Sequence, residues 1–219
     1  MREHFKYPRT PHLPWSPGQT DDDKVLKDTS HFLGKEIVAT IKMDGECSTL
    51  YRNYYHARSV DSKDHPSRHW LKGFHSQVRY HIPEGWRVCG ENLFAKHSIK
   101  YTELPSYFLV FSVWTDENKC LSWPKTKDFC DDVFHTVTTF QTGPWLPNME
   151  KVLSDKFIGS SKIKFRYPYA EEHEGYVVRL SNVFHFDEFS KSVAKFVRKN
   201  HVQTEDHWMF STIEKNKLF

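Results

Sequence analysis

The sequence has little of three things: long apolar runs, cysteine and glycine. Across its 219 residues, no stretch approaches the roughly 18 consecutive apolar residues of a membrane-spanning helix, which argues against a helical membrane protein. The first residues also lack the apolar segment of a secretory signal peptide. We therefore expect a protein with no membrane partner that works in the cytoplasm, or in the host cytoplasm if the source is viral.

Cysteine and histidine form no familiar metal-binding pattern. The four cysteines are Cys47, Cys89, Cys120 and Cys130. No two of them form a Cys-x-x-Cys pair, so they indicate reduced thiols rather than a zinc ribbon. His65 and His69 have the spacing of a helical metal pair, but Pro66 lies between them and the glutamate of a His-Glu-x-x-His motif is missing. A structural zinc site is therefore not expected.

Aromatic residues are abundant, at 16% of the chain. Disordered chains are poor in aromatics, so this content predicts a folded protein. The net charge of +3 and the pI near 8.5 permit nucleic-acid binding without establishing it. The length suits one domain, and we expect a monomer. We place this domain at 1–219, with 1–34 as a proline-rich N-terminal extension and 201–219 as a docked C-terminal helical tail.

Hydrophobic periodicity predicts more strands than helices. Strands are predicted at 36–42, 47–55, 86–91, 107–114 and 176–180, and helices at 25–27, 69–80, 125–137 and 151–161. Residues 192–197 fit either a strand or a helix. Asp44-Gly45 is a turn signal, so the first two strands are expected to form a hairpin. This pattern predicts an α+β fold of antiparallel sheets flanked by helices.

The segment Lys42-Met43-Asp44-Gly45 stands at the end of a predicted strand. A lysine there can be held by the sheet with its amino group facing a cleft, and Gly45 allows a sharp turn. Lysine is a nucleophile only after it loses its proton, which burial and nearby cations favour. On its own, the pattern is more often a plain turn than a reactive site.

Other polar positions flank apolar strands in the same way. Glu91 ends one predicted strand, Glu174 precedes another, Arg58 follows the second strand, and residues 195–199 cluster three cations. Together they predict a nucleotide pocket. The sequence has no Gly-x₄-Gly-Lys-Ser/Thr motif, which excludes a P-loop nucleoside triphosphatase, and no Gly-x-Gly-x-x-Gly motif to support a Rossmann site. Arg58 and Glu91 also fit a surface ion pair of little value.

Short motifs follow one another in a fixed order: Lys-x-Asp-Gly, Ala-Arg-Ser, Gly-Glu, an apolar strand, Glu-Gly-Tyr-Val-Val and a basic segment. This order resembles that of the covalent nucleotidyltransferases, which comprise RNA ligases, DNA ligases and mRNA capping enzymes. The segments Gly90–Ile99 and Phe189–His201 are most similar to the RNA ligase branch. The resemblance runs from about Glu36 to Trp208. It implies a nucleotidyltransferase (adenylation) domain of antiparallel sheets flanked by helices, with no C-terminal OB domain.

The resemblance implies which residues act on the phosphates of ATP. Lys42 matches the lysine that attacks the α-phosphate to form lysyl-AMP, and Glu174 matches the carboxylate that works with the metal and this lysine. Lys195 matches the first of two cations on the α-phosphate. The second cation is either Arg198, which we favour, or Lys199, because the usual pair of lysines two positions apart is absent.

The resemblance also implies the residues that bind the nucleoside. Arg58 matches an arginine on the sugar or phosphate region, and Glu91 matches the glutamate that hydrogen-bonds the ribose. Phe111 matches the aromatic that stacks on adenine, although an aromatic in so apolar a strand also fits the core. Ile41 belongs to the same nucleotide-binding set. Cys47 stands where some phage RNA ligases carry asparagine, so its contact with the sugar is open.

The implied activity is that of an ATP-dependent RNA ligase, which joins 5′-phosphate and 3′-hydroxyl ends through lysyl-AMP and adenylated RNA. The implied cofactors are ATP and Mg²⁺, or Mn²⁺, with Glu174 and Asp44 as candidate metal ligands. The implied partners are RNA ends and, as a candidate, a separate end-healing kinase or phosphatase. Three alternatives stay open: a minimal DNA ligase, a capping-type guanylyltransferase, and a non-catalytic nucleic-acid-binding module.

A basic run at Ser160–Tyr167 alternates cations with apolar residues. Its cations Lys162, Lys164 and Arg166 fit a strand that faces nucleic acid. They fit an edge strand protected by charge equally well.

Overall fold

The computed structural model of the chain describes residues 4–162, 169–170, 172–199 and 213–219. Its strands are β1 (Glu36–Lys42), β2 (Glu46–Tyr51), β3 (Tyr55–Ala57), β4 (Arg87–Asn92), β5 (Phe108–Trp114), β6 (Lys119–Cys120), β7 (His135–Thr136), β8 (Thr139–Pro144), β9 (Gly175–Leu180), β10 (Phe184–His185) and β11 (Val193–Val197). Its α-helices are α1 (His69–Val78), α2 (Trp123–Cys130), α3 (Met149–Lys162) and α4 (Phe189–Ser192).

The strands form two sheets, which confirms the predicted α+β fold class. In the first sheet, β1 lies between β8 and β9, and β11 pairs with the other side of β9. The second sheet has the order β10-β6-β5-β4-β2-β3, with β7 pairing beside β5. All pairings between these strands are antiparallel except that of β5 with β7.

The largest hydrophobic cluster joins the two sheets. It contains Ile37 and Ile41 of β1, Tyr176 of β9 and Leu109 of β5, all at most 2% exposed. β1 reads Glu-Ile-Val-Ala-Thr-Ile-Lys, and its five inner residues are buried, as expected for a β-branched strand inside a sheet. A second cluster forms where α1 packs on the second sheet and includes Leu71. These contacts fix the end of β1 close to β4 and β5.

The predicted hairpin after β1 is wrong. β1 belongs to the first sheet and β2 to the second, so Asp44-Gly45 crosses between the sheets instead of turning back. The Asp44 carboxylate holds this crossing in place by accepting the backbone N–H groups of Ser98 and Ile99, each at 2.8 Å. Gly45 passes so close to β4 that a Cβ atom on it would lie 2.6 Å from the carbonyl oxygen of Asn92.

Other predicted elements differ in extent. The helix predicted at 125–137 ends at Cys130, and the chain then enters β7. Residues 25–27 form no helix, since Val25 instead pairs with His12 in an isolated bridge. The ambiguous segment 192–197 is a strand from Val193 onward. The single strand predicted at 47–55 is wrong, because the chain turns after Tyr51 and forms two strands, β2 and β3. The strands β6, β7, β8 and β10 were not predicted. The helices at α1 and α3 and the strands at β1, β4, β5 and β9 are confirmed within a few residues.

Residues 11–18 pack along β11, the edge of the first sheet. The backbone N–H of Leu13 donates to the carbonyl of Lys195 at 2.8 Å, and the N–H of Lys195 donates to the carbonyl of Pro11 at 2.9 Å. Farther along, the N–H of Val197 donates to Ser16 Oγ at 2.9 Å. The N-terminal segment, residues 4–27, thus covers a strand edge that would otherwise expose unpaired backbone groups.

The C-terminal tail and the basic run fall partly outside the described residues. Of the predicted helix 201–219, only residues 213–219 are described, and they run extended, with bridges from Lys215 to Ala95 and from Leu218 to Leu104. Of the basic run, Lys162 ends α3, and residues 163–168, which hold Lys164 and Arg166, lie outside the described part. Within that part, no separate OB domain occurs and no helix is long and apolar enough to cross a membrane.

Candidate active site

A cavity of about 690 Å³ lies where the two sheets meet. Its wall is built from β1, β2, β4, β5, β9 and β11, and from the N-terminal segment. Six of the predicted site residues line it: Ile41, Lys42, Arg58, Glu91, Phe111 and Lys195. The fold therefore brings together positions that are more than 150 residues apart in the sequence.

Lys42 and Glu174 form the central contact of the site. Lys42 Nζ donates to Glu174 Oε2 at 2.6 Å. The register between β1 and β9 sets Lys42 opposite Gly175, so the residue before Gly175 reaches the lysine. Burial disfavours the charge on Lys42, but the carboxylates of Glu174, Glu91 and Asp44 outweigh it and raise the pKa of Lys42. The resting side chain is therefore an ammonium ion.

Gly175 explains why the carboxylate sits where it does. A Cβ atom on this residue would lie 1.9 Å from the backbone oxygen of Phe196. Only glycine lets β9 approach β11 this closely. The backbone of Glu174 is fixed in the same contact, because the N–H of Arg198 donates to its carbonyl at 3.0 Å.

Glu91 provides a second carboxyl group beside Lys42. It lies near the end of β4, where its Oε1 accepts the backbone N–H of Gly45 at 3.2 Å. Burial raises the pKa of Glu91 to about 8, the lysine opposes this shift, and Glu174 adds to it. A carboxyl group accepts hydrogen bonds from ribose hydroxyl groups in either protonation state, and it can also donate one when it is protonated.

Lys195 adds a second cation to the cavity wall. It pairs with Val177 of β9, and 20% of its side-chain surface is exposed. Burial lowers the pKa of Lys195, Asp23 opposes this effect, and the charge of Lys42 adds to it. Two ammonium groups, those of Lys42 and Lys195, thus line the same cavity. This arrangement suits a phosphate group, which carries negative charge of its own.

Phe111 of β5 lies both on the cavity wall and against the core. Its ring meets that of Tyr7 edge to face, with 5.0 Å between the centroids. It also packs on two hydrophobic clusters of the interior. Both interpretations of Phe111 therefore have structural support: it is a half-buried aromatic that closes the core and forms part of the cavity surface.

The remaining predicted nucleoside contacts surround the same cavity. Arg58 follows β3 and is exposed. Ile41 is 2% exposed and contributes to the wall from the core side. Cys47 of β2 also lines the cavity, and burial together with the charge of Glu91 raises the pKa of its thiol well above the usual value. Cys47 is therefore a neutral thiol and not a thiolate nucleophile.

The family of this chain follows from comparison with known proteins. A model of the RNA ligase family matches residues 35–197, a range that includes every cavity strand described above. The chain belongs to the RNA ligase family. No curated protein matches its sequence.

Solved RNA ligase structures share the fold of this family member. An archaeal ATP-dependent RNA ligase superposes with a TM-score of 0.56 at 12% identity, covering 88% of this chain and 48% of its own. A Naegleria gruberi RNA ligase gives a TM-score of 0.55 at 14% identity, covering 78% and 51%. Another Naegleria gruberi RNA ligase structure, with ATP and Mn, gives a TM-score of 0.53 at 12% identity, covering 78% of this chain and 52% of its own. The chain spans about half the length of these proteins.

Asp44 has a structural task in this RNA ligase family member. Its carboxylate holds the loop at Ser98 and Ile99, and its own backbone N–H donates to Tyr101 Oη at 2.8 Å. The residue is 8% exposed. This geometry fixes the turn after Lys42. Metal binding by Asp44 stays a prediction, and Glu174 is the better placed of the two candidate ligands because it touches the lysine directly.

Arg198 is not brought to the cavity wall. Its Nε donates to the carbonyl of His173 at 3.0 Å, and its guanidinium pairs with Glu172 at 2.9 Å. The cavity lining includes Lys195 but neither Arg198 nor Lys199. The choice of a second phosphate cation therefore stays a prediction. In the described arrangement, Arg198 braces the backbone on either side of Glu174.

A donor set for a divalent metal is present in part. Among the residues that the structure describes, no three His, Cys, Asp or Glu side chains form a group that could hold a metal ion. Mg²⁺ is usually held by one or two carboxylates together with waters and substrate phosphates. Glu174 fits this requirement in part, because its carboxylate lies beside Lys42. The phosphates of a bound nucleotide would complete the coordination.

Among the residues that shape the site, Arg179 and Asn216 were not predicted from the sequence. Arg179 of β9 is 4% exposed and donates to the backbone oxygens of Phe111 at 3.3 Å and Leu121 at 2.6 Å, which ties β9 to β5. Asn216, 2% exposed, accepts the backbone N–H of Tyr101 and donates to the carbonyl of Leu93, each at 2.8 Å. Neither belongs to a motif that suggests these contacts, because both act through distant backbone groups.

We expect Phe111→Ala to fold and to raise the KM for ATP by about tenfold or more, since stacking on a base contributes about 1–3 kcal/mol. The measurement is the rate of covalent nucleotide transfer as a function of ATP concentration. Val113→Ala, at a fully buried position of the same strand, is the matched control and should lower stability without a selective change in KM. An unfolded Phe111→Ala protein would show that Phe111 is a core residue alone.

Proposed function

We propose that this chain is an ATP-dependent RNA ligase. It would join a 5′-phosphate end to a 3′-hydroxyl end through lysyl-AMP and adenylated-RNA intermediates. The observation that carries this proposal is the contact between Lys42 and Glu174, 2.6 Å apart, beside a cavity that Lys195 also lines. Lys42, Lys195 and the carboxyl group of Glu91 line this cavity. Glu174, which is not part of the lining, holds Lys42, and these are the groups that nucleotidyl transfer to lysine needs.

The first step would use Lys42 as the nucleophile. Its ammonium group loses a proton to solvent, and Nζ then attacks the α-phosphorus of ATP. A P–N bond forms, the bond from the α-phosphorus to the bridging oxygen breaks, and pyrophosphate leaves. Because the resting pKa of Lys42 is raised, the rate of this step should increase with pH. Catalysis here is mainly positioning and charge stabilisation, which Glu174 and Lys195 supply.

The later steps would move AMP and then release it. An oxygen of the RNA 5′-phosphate attacks the phosphorus of lysyl-AMP, the P–N bond breaks, and Lys42 takes a proton back. A 3′-hydroxyl then loses its proton to solvent and its oxygen attacks the activated 5′-phosphate, a phosphodiester forms, and AMP leaves with the electron pair of the broken bond. A bound Mg²⁺ or Mn²⁺ would stabilise the charge on the phosphates and favour the neutral form of the lysine.

The proposed RNA substrate leads to a prediction about the effects of salt concentration and of the sugar at the 3′ end. The net charge is only +3, so strand binding should depend on a small number of phosphate contacts. Each contact adds a salt-dependent term through counterion release, whereas lysyl-AMP formation needs only the nucleotide and a metal. Sealing should therefore fall with added salt more steeply than lysyl-AMP formation does. A strand with an RNA 3′ end should be joined in preference to one with a DNA 3′ end, because the 2′-hydroxyl distinguishes them.

The experiment measures both steps with labelled ATP and, separately, labelled GTP, on matched strands with RNA or DNA 3′ ends at low and moderate salt. Transfer from ATP with preferential joining of RNA ends supports the proposal. Transfer from GTP alone would favour a capping-type enzyme. Equal joining of all-DNA ends, or parallel salt curves for the two steps, would favour a DNA ligase.

The working compartment and partners belong to the same proposal. All four cysteines are free, as a reducing compartment such as the cytoplasm would keep them. A ligase of this chemistry accepts only 5′-phosphate and 3′-hydroxyl ends. A kinase or phosphatase activity must therefore prepare any ends that carry other groups.

A further inference from the structure

The N-terminal segment brings a carboxylate to Lys195. It runs beside β11, and the backbone of its residue His12 pairs with both Lys195 and Val25. This double pairing folds Asp23 back over β11, where its Oδ1 lies 3.4 Å from Lys195 Nζ. Asp23 and Thr20 line the cavity together with Lys42 and Lys195. The segment is therefore part of the cavity wall, although it precedes the matched family range.

Asp23 is held in place by two donors of Thr20 and lies beside the ring of His12. Thr20 donates its backbone N–H at 3.1 Å and its hydroxyl at 3.0 Å to Asp23 Oδ2, and His12 Nε2 lies 3.3 Å from the same oxygen. His12 is itself 1% exposed and bonds Ser16 Oγ through Nδ1 at 2.7 Å. Oδ1, which points to Lys195, has no part in these bonds. The carboxylate is thus fixed by one oxygen and offers the other to the lysine.

Lys195 needs this partner because its other surroundings oppose its charge. Burial and the ammonium group of Lys42 both disfavour the charged form, and His12 would do the same if it were protonated. Glu174 favours it, but Glu174 already bonds Lys42 at 2.6 Å. Asp23 is the carboxylate in direct contact with Lys195. A cation that lost this contact would be less charged and less precisely placed.

We propose that Asp23 is a positioning residue for nucleotidyl transfer, which holds the Lys195 ammonium charged and directed at the cavity where the α-phosphate of ATP would bind. The proposal rests on the function proposed above. The contact of 3.4 Å is long for a charged pair, so the ammonium group can turn toward a phosphate without leaving Asp23. Thr20 and His12 act indirectly, because their side chains orient the carboxylate of Asp23.

The test compares Asp23→Asn with two matched variants. Asp23→Asn removes the charge and keeps the shape, Asp23→Glu restores the charge, and Asp21→Asn removes an exposed charge from the same turn. We expect Asp23→Asn to slow single-turnover lysyl-AMP formation by about tenfold to a hundredfold, as for a displaced catalytic group. On the alkaline side of the pH profile, the activity of Asp23→Asn should decline at a lower pH than that of wild type. Asp23→Glu should recover part of the rate, and Asp21→Asn should match wild type.

Two further measurements separate positioning from a structural role. The first follows the reaction of Lys195 with a small acylating reagent as a function of pH, by peptide mass spectrometry, and does not depend on activity. Lys195 should react at lower pH in Asp23→Asn than in wild type, because its pKa has fallen. The second is a double-mutant cycle, in which Asp23→Asn should have little further effect once Lys195→Ala is present.

The outcomes distinguish this proposal from the proposed function. If the wild-type protein forms no lysyl-AMP, both the proposed function and the role of Asp23 are wrong. A wild type that forms it, with Asp23→Asn equal to wild type in rate, pH profile and Lys195 acylation, would overturn only the role of Asp23. A variant with a lowered Tm and an unchanged acylation profile would likewise assign Asp23 to stability alone.

Discussion

Lys42→Ala is expected to abolish the covalent nucleotide adduct completely. Alanine cannot form the P–N bond, and Lys42 is the lysine that the contact with Glu174 holds at the end of β1. The substitution removes a side chain with 24% of its surface exposed, so the fold should survive. The measurement is a labelled protein band after incubation with labelled ATP, with circular dichroism to verify folding.

Lys42→Arg is the matched control for charge. Arginine keeps the positive charge next to Glu174, but its guanidinium stays protonated and cannot attack phosphorus. It should therefore be as inactive as Lys42→Ala. A labelled band at wild-type intensity in either variant would show that the nucleophile is another residue.

Glu174→Gln is expected to lower lysyl-AMP formation by about a hundredfold or more, because a displaced nucleophile loses its alignment with the α-phosphate. The effect of this substitution on the pKa of Lys42 distinguishes two explanations of the rate. Glu174 raises the pKa of Lys42, so glutamine should lower it and provide more neutral lysine at pH 7. If proton loss alone limited the rate, the variant would be faster. A slower variant, with its pH profile displaced to lower pH, is the result that orientation by Glu174 predicts.

Glu172→Gln is the control for this substitution. Glu172 lies two residues earlier, is 68% exposed at its side chain, and pairs with Arg198 outside the cavity lining. Its loss should leave lysyl-AMP formation near the wild-type rate. Equal losses in Glu172→Gln and Glu174→Gln would indicate that the segment tolerates no change, and the specific role of Glu174 would be withdrawn.

The sequence predicted that Lys42, Glu91 and Lys195 would lie close together because each stands in a short motif in or at the end of a strand, whereas their roles came from the family resemblance and stay predictions. Lys42, Glu91 and Glu174 are each fixed by a local strand and a nearby glycine, and the sheets then bring them together. The strands were predicted from runs of β-branched and apolar residues, such as those of β1 and β5. The local sequence pattern was sufficient to predict the position of a side chain wherever a single strand determines that position.

The sequence was insufficient wherever distant backbone groups decide the structure. Asp44-Gly45 has the same composition in a hairpin and in a crossing between sheets, and the choice depends on the N–H groups of Ser98 and Ile99. The N-terminal segment has no periodicity, because it pairs with β11 through backbone bonds and one buried leucine, Leu13. The contact of Asp23 with Lys195 therefore had no local signal.

The most direct test of the account is the intact mass of the wild-type protein after incubation with ATP and Mg²⁺, followed by mapping of the modified peptide. We expect a mass increase equal to one adenylyl group, which is AMP less one water, located on Lys42, and no corresponding increase with GTP. A protein that stays unmodified with ATP, or that carries AMP on another residue such as Lys195, would contradict it.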